Sequence, residues 1–446
     1  MPIKSTASLP VVTPHAAGID VGSREMYVCV PTDSCPEPIA RFETFTEDLL
    51  DLSKWLKECG VLSVAMESTG VYWIPLFQIL EEQGFQVILV HPTYPKKPYK
   101  SDVADCQWLQ YLHSVGLLTP SFRPSQHVCT IRTILRHRSN HVKEASVHVQ
   151  RMQKALTQMN LLLHNVISDI TGVTGLAIID SILAGERDPK MLARFRDRRI
   201  KASEEEIAKS LVGDYREEHL FTLRQSLEAI RFFQNQMAAC DAEIGRLLAE
   251  FDSKVDIDEN SGPKGAPRRA KPKKNEIVLP NSDLRQEMYR INGVDLTAVP
   301  GIEALTAHTI FCEIGNDLTK FPSSGHFASY LGFCPNNRIS GGKVLFNQTR
   351  PVKSRAAQII KLAAQSVANS ASYLGDSYRR IRARSGPRAA NVATAHKLAR
   401  IIFRMLTTKE PYDEKVFNSI AERFKNKRIL NLQKQAAVLG YNLEPV

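Results

Sequence analysis

The chain has 446 residues, 43% of them hydrophobic, which is too long for one ordinary core and apolar enough to fold, so two or three domains are expected. No apolar run reaches the roughly 18 residues that span a bilayer, and the start "MPIKSTASLPVV" has no hydrophobic signal region, which excludes membrane and secreted classes and points to an intracellular protein. The formal charge of +11 is unevenly spread: residues 1–120 hold 14 acids against 8 bases, whereas 338–404 hold Asp376 as the single acid against 14 Lys or Arg, the footprint of a segment that neutralises phosphates.

At the N-terminus, "AAGIDVGSREMYVCVP", "ARFETFT", "VLSVAMEST" and "FQVILVHP" are short Val/Ile-rich runs that predict strands. Between them "TEDLLDLSKWLKECG" and "VYWIPLFQILEEQG" have helical spacing and end at glycine. The expectation is an α/β unit with a mixed sheet over residues 1–125.

After Pro124 a heptad begins. Val128, Leu135, Val142, Val149, Leu156 and Leu163 recur every seven residues; Ile131, Ala145, Met152, Met159 and Val166 fill the position three later, and Arg138 breaks that second row. A second helix repeats the step with Leu223, Ile230, Met237, Ile244 and Phe251. Together they predict a coiled-coil domain over 126–252, paired within one chain or between chains; periodicity does not choose. Residues 253–283 lose periodicity and are rich in Pro, Gly and Lys, which predicts a disordered basic linker, bounded here as 253–290. A mainly helical C-terminal domain is expected over 291–410, with a tail over 411–446. It opens on "LTAVPGIEALTAHTIFCEIGN", the layout of a helix-hairpin-helix, although Glu303 stands where a second glycine is common.

Four acids of the N-terminal unit form an ordered set. Asp20 lies inside the strand of "AGIDVG", Glu67 ends the strand of "AMESTG", and Asp102 and Asp105 are three apart at the start of a helix, on one helical face. Two divalent cations about 3.5–4 Å apart need that many anionic oxygens. Singly, each acid has a plainer reading: a phosphate-facing strand aspartate in an actin-like phosphotransferase, a strand-end charge, an N-cap, a first-turn acid. Eight scattered cysteines without a CxxC pair argue against zinc and disulfide frameworks and predict buried thiols.

With "GIDVG", "AMESTGVYW", "KSDVADCQWLQ", "ITGVTGLAIIDSILAGERDP", "AVPGIEALTAHTIFCEIG", "YLGFCPNNRISGGKV" and "ATAHKLARIIFRML" in place, the chain resembles the insertion-sequence transposases of the IS-one-ten (IS110) type, above all the longer members. The resemblance implies a RuvC-like RNase H fold with an Asp-Glu-Asp-Asp tetrad, here Asp20, Glu67, Asp102 and Asp105, binding Mg²⁺ with Mn²⁺ as a substitute. It also implies a C-terminal domain with a catalytic serine, here Ser340. Gly341 and Gly342 would let the backbone approach a phosphate, with Arg338, Lys343, Arg350 and Lys353 offsetting charge. The partners implied are donor and target DNA, a structured bridge RNA, and further copies in dimers and tetramers, in the bacterial cytoplasm at the nucleoid. Two other function classes stay open: a Holliday-junction resolvase-like metal nuclease using water, and an actin-like phosphotransferase, for which the second phosphate loop and the adenosine-binding glycine pair are missing.

Overall fold

A computed structural model describes residues 9–68, 70–91, 101–255, 263, 275–346, 348–352 and 354–442. Most of the expected basic linker, residues 256–262 and 264–274, lies outside them. The chain divides into two compact units, Met1–Arg123 and Pro124–Val446.

The first unit is a mixed α/β sheet. Strands β1 (Ala16–Val21), β2 (Glu25–Cys29) and β3 (Ile39–Glu43) form an antiparallel meander. Helix α1 (Thr46–Glu58) leads to β4 (Ser63–Glu67), helix α2 (Trp73–Glu82) to β5 (Gln86–Val90), and α3 (Asp102–Ser114) follows. Both β4 and β5 run parallel to β1, giving the order β3-β2-β1-β4-β5. The two predicted helices stop where expected, Gly60 and Gly84 taking the left-handed backbone that releases the chain into the next strand.

Strand alternation assigns the two faces. Ala17, Ile19, Met26, Val28, Val64 and Met66 pack under Leu49, Leu52 and Leu56 of α1 and Leu76, Phe77 and Leu80 of α2 as one core. The other face receives α3. A Cβ on Gly18 would stand 2.2 Å from the Gln110 nitrogen and 2.5 Å from the Cys106 carbonyl, so helix backbone lies directly on strand backbone. Gln110 Nε2 donates to the Ala16 carbonyl at 3.2 Å, and the His113 ring meets the Ser63 hydroxyl at 2.8 Å. Helix α3 therefore runs antiparallel to β1, and its N-terminus comes to the end of the strand that carries Asp20.

The second unit is almost wholly helical. Helices α4 (Gln126–Gln158), α5 (Leu163–Val166), α6 (Val173–Leu183), α7 (Pro189–Ala193), α8 (Glu204–Ser210) and α9 (Glu217–Ala249) form its first part. The contacts His127–Phe251, Arg138–Asp241 and His148–Phe233 step in opposite directions along α4 and α9, so the heptad seams close on each other within the chain as an antiparallel pair. The expected single helix through Val166 is cut short at Gln158. Asn160 takes a left-handed backbone (φ 56°), and Met159, Leu161 and Leu163 turn into a core that joins Ile178, Ile179, Ile182 and Leu211 to the seam residues Met152, Leu156, Leu223 and Ile230. Hydrophobic step alone does not distinguish one long seam from a seam plus a cluster.

Arg138, the break in the heptad, is buried. Its guanidinium makes a two-pronged ion pair with Asp241 and also donates to the carbonyls of Asn275 and Glu276 at 3.1 and 2.9 Å, while Asp241 accepts from the Val278 amide at 3.2 Å. The polar break thus fastens residues 275–278 to the α4–α9 pair.

The last part comprises α10 (Leu284–Asn292), α11 (Ala304–Ile314), α12 (Ser324–Tyr330), a hairpin of β6 (Arg338–Ser340) and β7 (Lys343–Phe346), α13 (Arg355–Ser366), α14 (Tyr373–Thr408) and α15 (Asn418–Val438). The segment expected to open as helix–turn–helix has a short 3₁₀ helix, Leu296–Ala298, as its first limb, then the Pro300–Gly301 bend and α11. A Cβ on Gly301 would lie 2.6 Å from the Ala363 carbonyl and 3.0 Å from the Ser366 hydroxyl. That bend is used for packing on α13. Six of the eight cysteines are buried and all are free thiols. Among the described residues no helix is long and apolar enough to cross a membrane.

Candidate active site

In the first unit the register sets two acids side by side. Ile19 pairs with Met66 as the last matched pair of β1 and β4, so Asp20 and Glu67 are the next residues along two neighbouring parallel strands, on the face opposite Ile19 and Met66. That is the α3 face, shared with Gly18 and Ser63. Asp102 is the first residue of α3 and exposed; Asp105 is one turn in and half-buried, like Asp20 and Glu67. Ser101 caps the helix, its hydroxyl accepting from the Ala104 amide at 3.2 Å, and so fixes where the two aspartates start.

Asp20 and Asp102 line one cleft of about 950 Å³, together with the Gly22–Arg24 turn, Glu25, Tyr27, Arg41 and Glu43. Tyr27 is the cross-strand partner of Asp20 and donates to Glu25 at 3.3 Å, and Arg41 pairs with the same carboxylate. The phenol of Tyr27 is held above its ordinary range by loss of water first, then by Glu25, with Asp102 adding to it. Beneath the site Cys106 is fully buried; its hydrogen bond with Cys29, then burial, hold it protonated. Glu25, Tyr27 and Arg41 were not singled out from sequence. The alternation of β2 does mark Glu25 and Tyr27 as outward from the apolar core, but only the pairing register brings them beside Asp20.

The four acids offer oxygen donors alone, the set preferred by hard divalent cations. Among the described residues no three acids, histidines or cysteines are gathered at metal-holding distance. The fold places Asp20, Glu67 and the start of α3 at one end of one sheet face, and residues 92–100, which lead into α3, lie outside the description.

In the second unit Ser340 ends β6 and pairs with Lys343, leaving Gly341 and Gly342 as a two-residue turn. Both glycines have positive φ, 55° and 75°, the requirement of the tightest hairpin turn and the reason for a Gly-Gly pair. Nothing lies within 4 Å of a Cβ built on either, so the tip stands in open space. Ser340 and Lys343 are exposed, as are Ile339, Val344, Leu345 and Phe346. Below the tip Arg350 donates to the Ser329 carbonyl at 2.8 Å, tying the base of the hairpin to α12. The side chain of Arg338, and Lys353 altogether, fall outside the described residues.

Two family models match the chain. Residues 17–161, from β1 to just past α4, match the model of IS110 DEDD transposases, described as "Transposase", and residues 295–379 match "Transposase IS116/IS110/IS902 family". No curated protein matches it. The first match contains the acidic sheet edge and α3, the second contains the serine hairpin, and they occur in the order of the two modules. The chain therefore belongs to the IS110-type insertion-sequence transposases, enzymes that cut and rejoin DNA.

Proposed function

We propose that this transposase breaks DNA by attack of the Ser340 hydroxyl on a scissile phosphate, with Asp20, Glu67, Asp102 and Asp105 as the carboxylates of a RuvC-like, RNase H-fold metal site. The observation that carries the reading is the placing of Ser340 on an open, glycine-tipped hairpin with Lys343 opposite it and no packing around the tip. A buried serine in a packed turn could not meet a DNA backbone. Compatible with the other half are the mixed sheet, the neighbouring strand positions of Asp20 and Glu67, and the start of α3 on their face.

The carboxylates would hold Mg²⁺, which when bound supplies charge neutralisation at the phosphate and its leaving oxygen. Bond making is the serine's task. The Ser340 Oγ–P bond forms, the P–O3′ bond breaks, and the 3′ oxygen leaves as a hydroxyl, the serine proton reaching it by way of water. The phosphoserine link keeps the broken end attached, and the free 3′ hydroxyl later attacks the link on a partner strand, which restores the serine. Lys343, paired with Ser340 across the turn, would offset charge on the pentacoordinate phosphorus, with Arg338 and Lys353 as further cations of the segment. Guidance by a bridge RNA and assembly into dimers and tetramers belong to the same proposal through the family resemblance.

The test is a cleavage reaction on element-end DNA with Mg²⁺, run on denaturing gels. Wild type should yield a protein-linked strand and Ser340→Ala none. An adduct that survives the substitution removes Ser340 from the role, and a cut strand without any linked protein selects hydrolysis by water.

A further inference from the structure

Helix α14 contains a protrusion that the cleavage chemistry does not use. At Gly386 the backbone turns to φ 83°, ψ 171°, a conformation open in practice to glycine alone, and Pro387 restarts the helix. Tyr378 and Ala390 are buried, but not one residue from 379 to 389 is. About three turns of chain therefore lie at the surface around a sharp elbow, with Arg380, Ile381 and Gly386 half-buried and the rest exposed. Within them are five arginines, Arg379, Arg380, Arg382, Arg384 and Arg388, and no acid.

Such a segment is costly to keep as ordinary surface. Like charges one turn apart, as at Arg380 and Arg384, destabilise a helix, and Arg382, Arg384 and Arg388 are all exposed. Arg379 is committed to Asp376 at 2.5 Å and to the carbonyls of Ala368 and Ser370. Arg384 reaches only the Ser385 hydroxyl, at 3.4 Å, while Arg382 and Arg388 have no acidic partner among the described residues. Arg384 and Arg388 flank Gly386 at two residues on either side, and the break lets both limbs present cations around one vertex. Arginine's planar fork matches phosphate oxygens two at a time. The restarted helix adds its positive end, and Gly386 has no side chain to cap it.

We propose that the elbow of α14, through Arg382, Arg384 and Arg388, is a grip for the phosphodiester backbone of nucleic acid, separate from the serine hairpin. It makes no base-specific demand. Its contacts are electrostatic, so they set affinity and salt dependence and leave the bond-breaking step alone. The site deepens the reading of the protein as a nucleic-acid enzyme without depending on Ser340.

The experiment is equilibrium binding of the full chain to two labelled probes, a 30-base-pair random-sequence duplex of DNA and an RNA stem-loop of similar length, across a salt series. The variant is Arg382→Ala/Arg384→Ala/Arg388→Ala, compared with the triple lysine variant and checked for an unchanged thermal transition. Loss of three phosphate contacts should lower the slope of log K against log salt by about 2.7 on duplex. The lysine variant should keep most of the slope. A reduced slope on the duplex assigns the grip to DNA, on the stem-loop alone to RNA, and on both to either backbone. Unchanged binding of both probes, or a loss of affinity with unchanged slope, overturns the proposal. Because the readout is binding, Ser340→Ala leaves it intact, and failure here is distinct from failure of the serine chemistry.

Discussion

Asp105 shows what a single residue can decide. It lies half-buried one turn into α3, on the helix that covers the Asp20 face, and Asn in its place keeps the shape while removing the charge. Asp105→Asn is expected to lower strand cleavage at least 10²-fold with an unchanged circular dichroism spectrum, the scale of losing one preorganised charge at a reacting phosphate. Cleavage at wild-type rate would remove Asp105 from the site. With oxygen donors alone, Mg²⁺ or Mn²⁺ should support the reaction and Zn²⁺ should not. A second prediction tests how the acids are held. Gly18→Ala sets a methyl against helix backbone at 2.2 Å, so α3 must move, at about 1–3 kcal/mol of overpacking. Because Asp102 and Asp105 travel with α3, cleavage should fall further than the urea midpoint alone explains. At this scale Asp20 and Glu67 were legible, since strand alternation fixes the face of each. Tyr27, Glu25 and Arg41 were not, since they meet the site only through cross-strand register.

Among the elements, the α4–α9 pair was legible as two seams, and its partner choice was not. What the periodicity marked as a defect, Arg138, is the buried centre of a network that reaches Asp241 and three backbone groups from 275 to 278. Arg138→Ala should cost about 3–5 kcal/mol in urea unfolding, because Asp241 is left buried and unpaired. The double variant Arg138→Met/Asp241→Leu should recover only part of that, since the carbonyls of Asn275 and Glu276 and the Val278 amide lose partners. Full recovery would show that the network does not fasten residues 275–278.

His308 on α11 supplies a pH dependence to the same unit. It is fully buried, its Nε2 3.4 Å from the Cys312 sulfur, and burial first, then Arg138, pull its pKa down to about 3. A histidine held neutral when folded but titrating near 6.5 when unfolded contributes stability that is complete above pH 6.5 and is lost as pH falls towards 3. His308→Gln should flatten that limb of the stability–pH curve; an unchanged slope would place the titration elsewhere. Nothing in the sequence marked His308, whose burial arises from three-dimensional packing.

At the scale of the whole molecule, the proposed chemistry requires the serine and the carboxylates to meet at one phosphate. Ser340 lies 235 residues beyond Asp105, in the other compact unit. The α4–α9 seam, legible as a possible joint between protomers, is closed inside one chain. Assembly between chains would then rest on other surfaces and on nucleic acid. If the site is composite, mixing Asp20→Asn with Ser340→Ala protein, each inactive alone, should restore cleavage in hybrids that hold one intact pair. Hybrids that form on DNA and RNA yet stay inactive would place both halves of the site in a single chain.

The chemistry itself is tested most directly by trapping the reaction of wild-type protein on element-end DNA with Mg²⁺, digesting both components, and locating the nucleotide remnant by peptide mass spectrometry. The expected result is a phosphodiester remnant on Ser340, in the exposed hairpin, absent from Asp20→Asn protein. A remnant on any other residue, or strands ending in free phosphate with no protein attached, would contradict it.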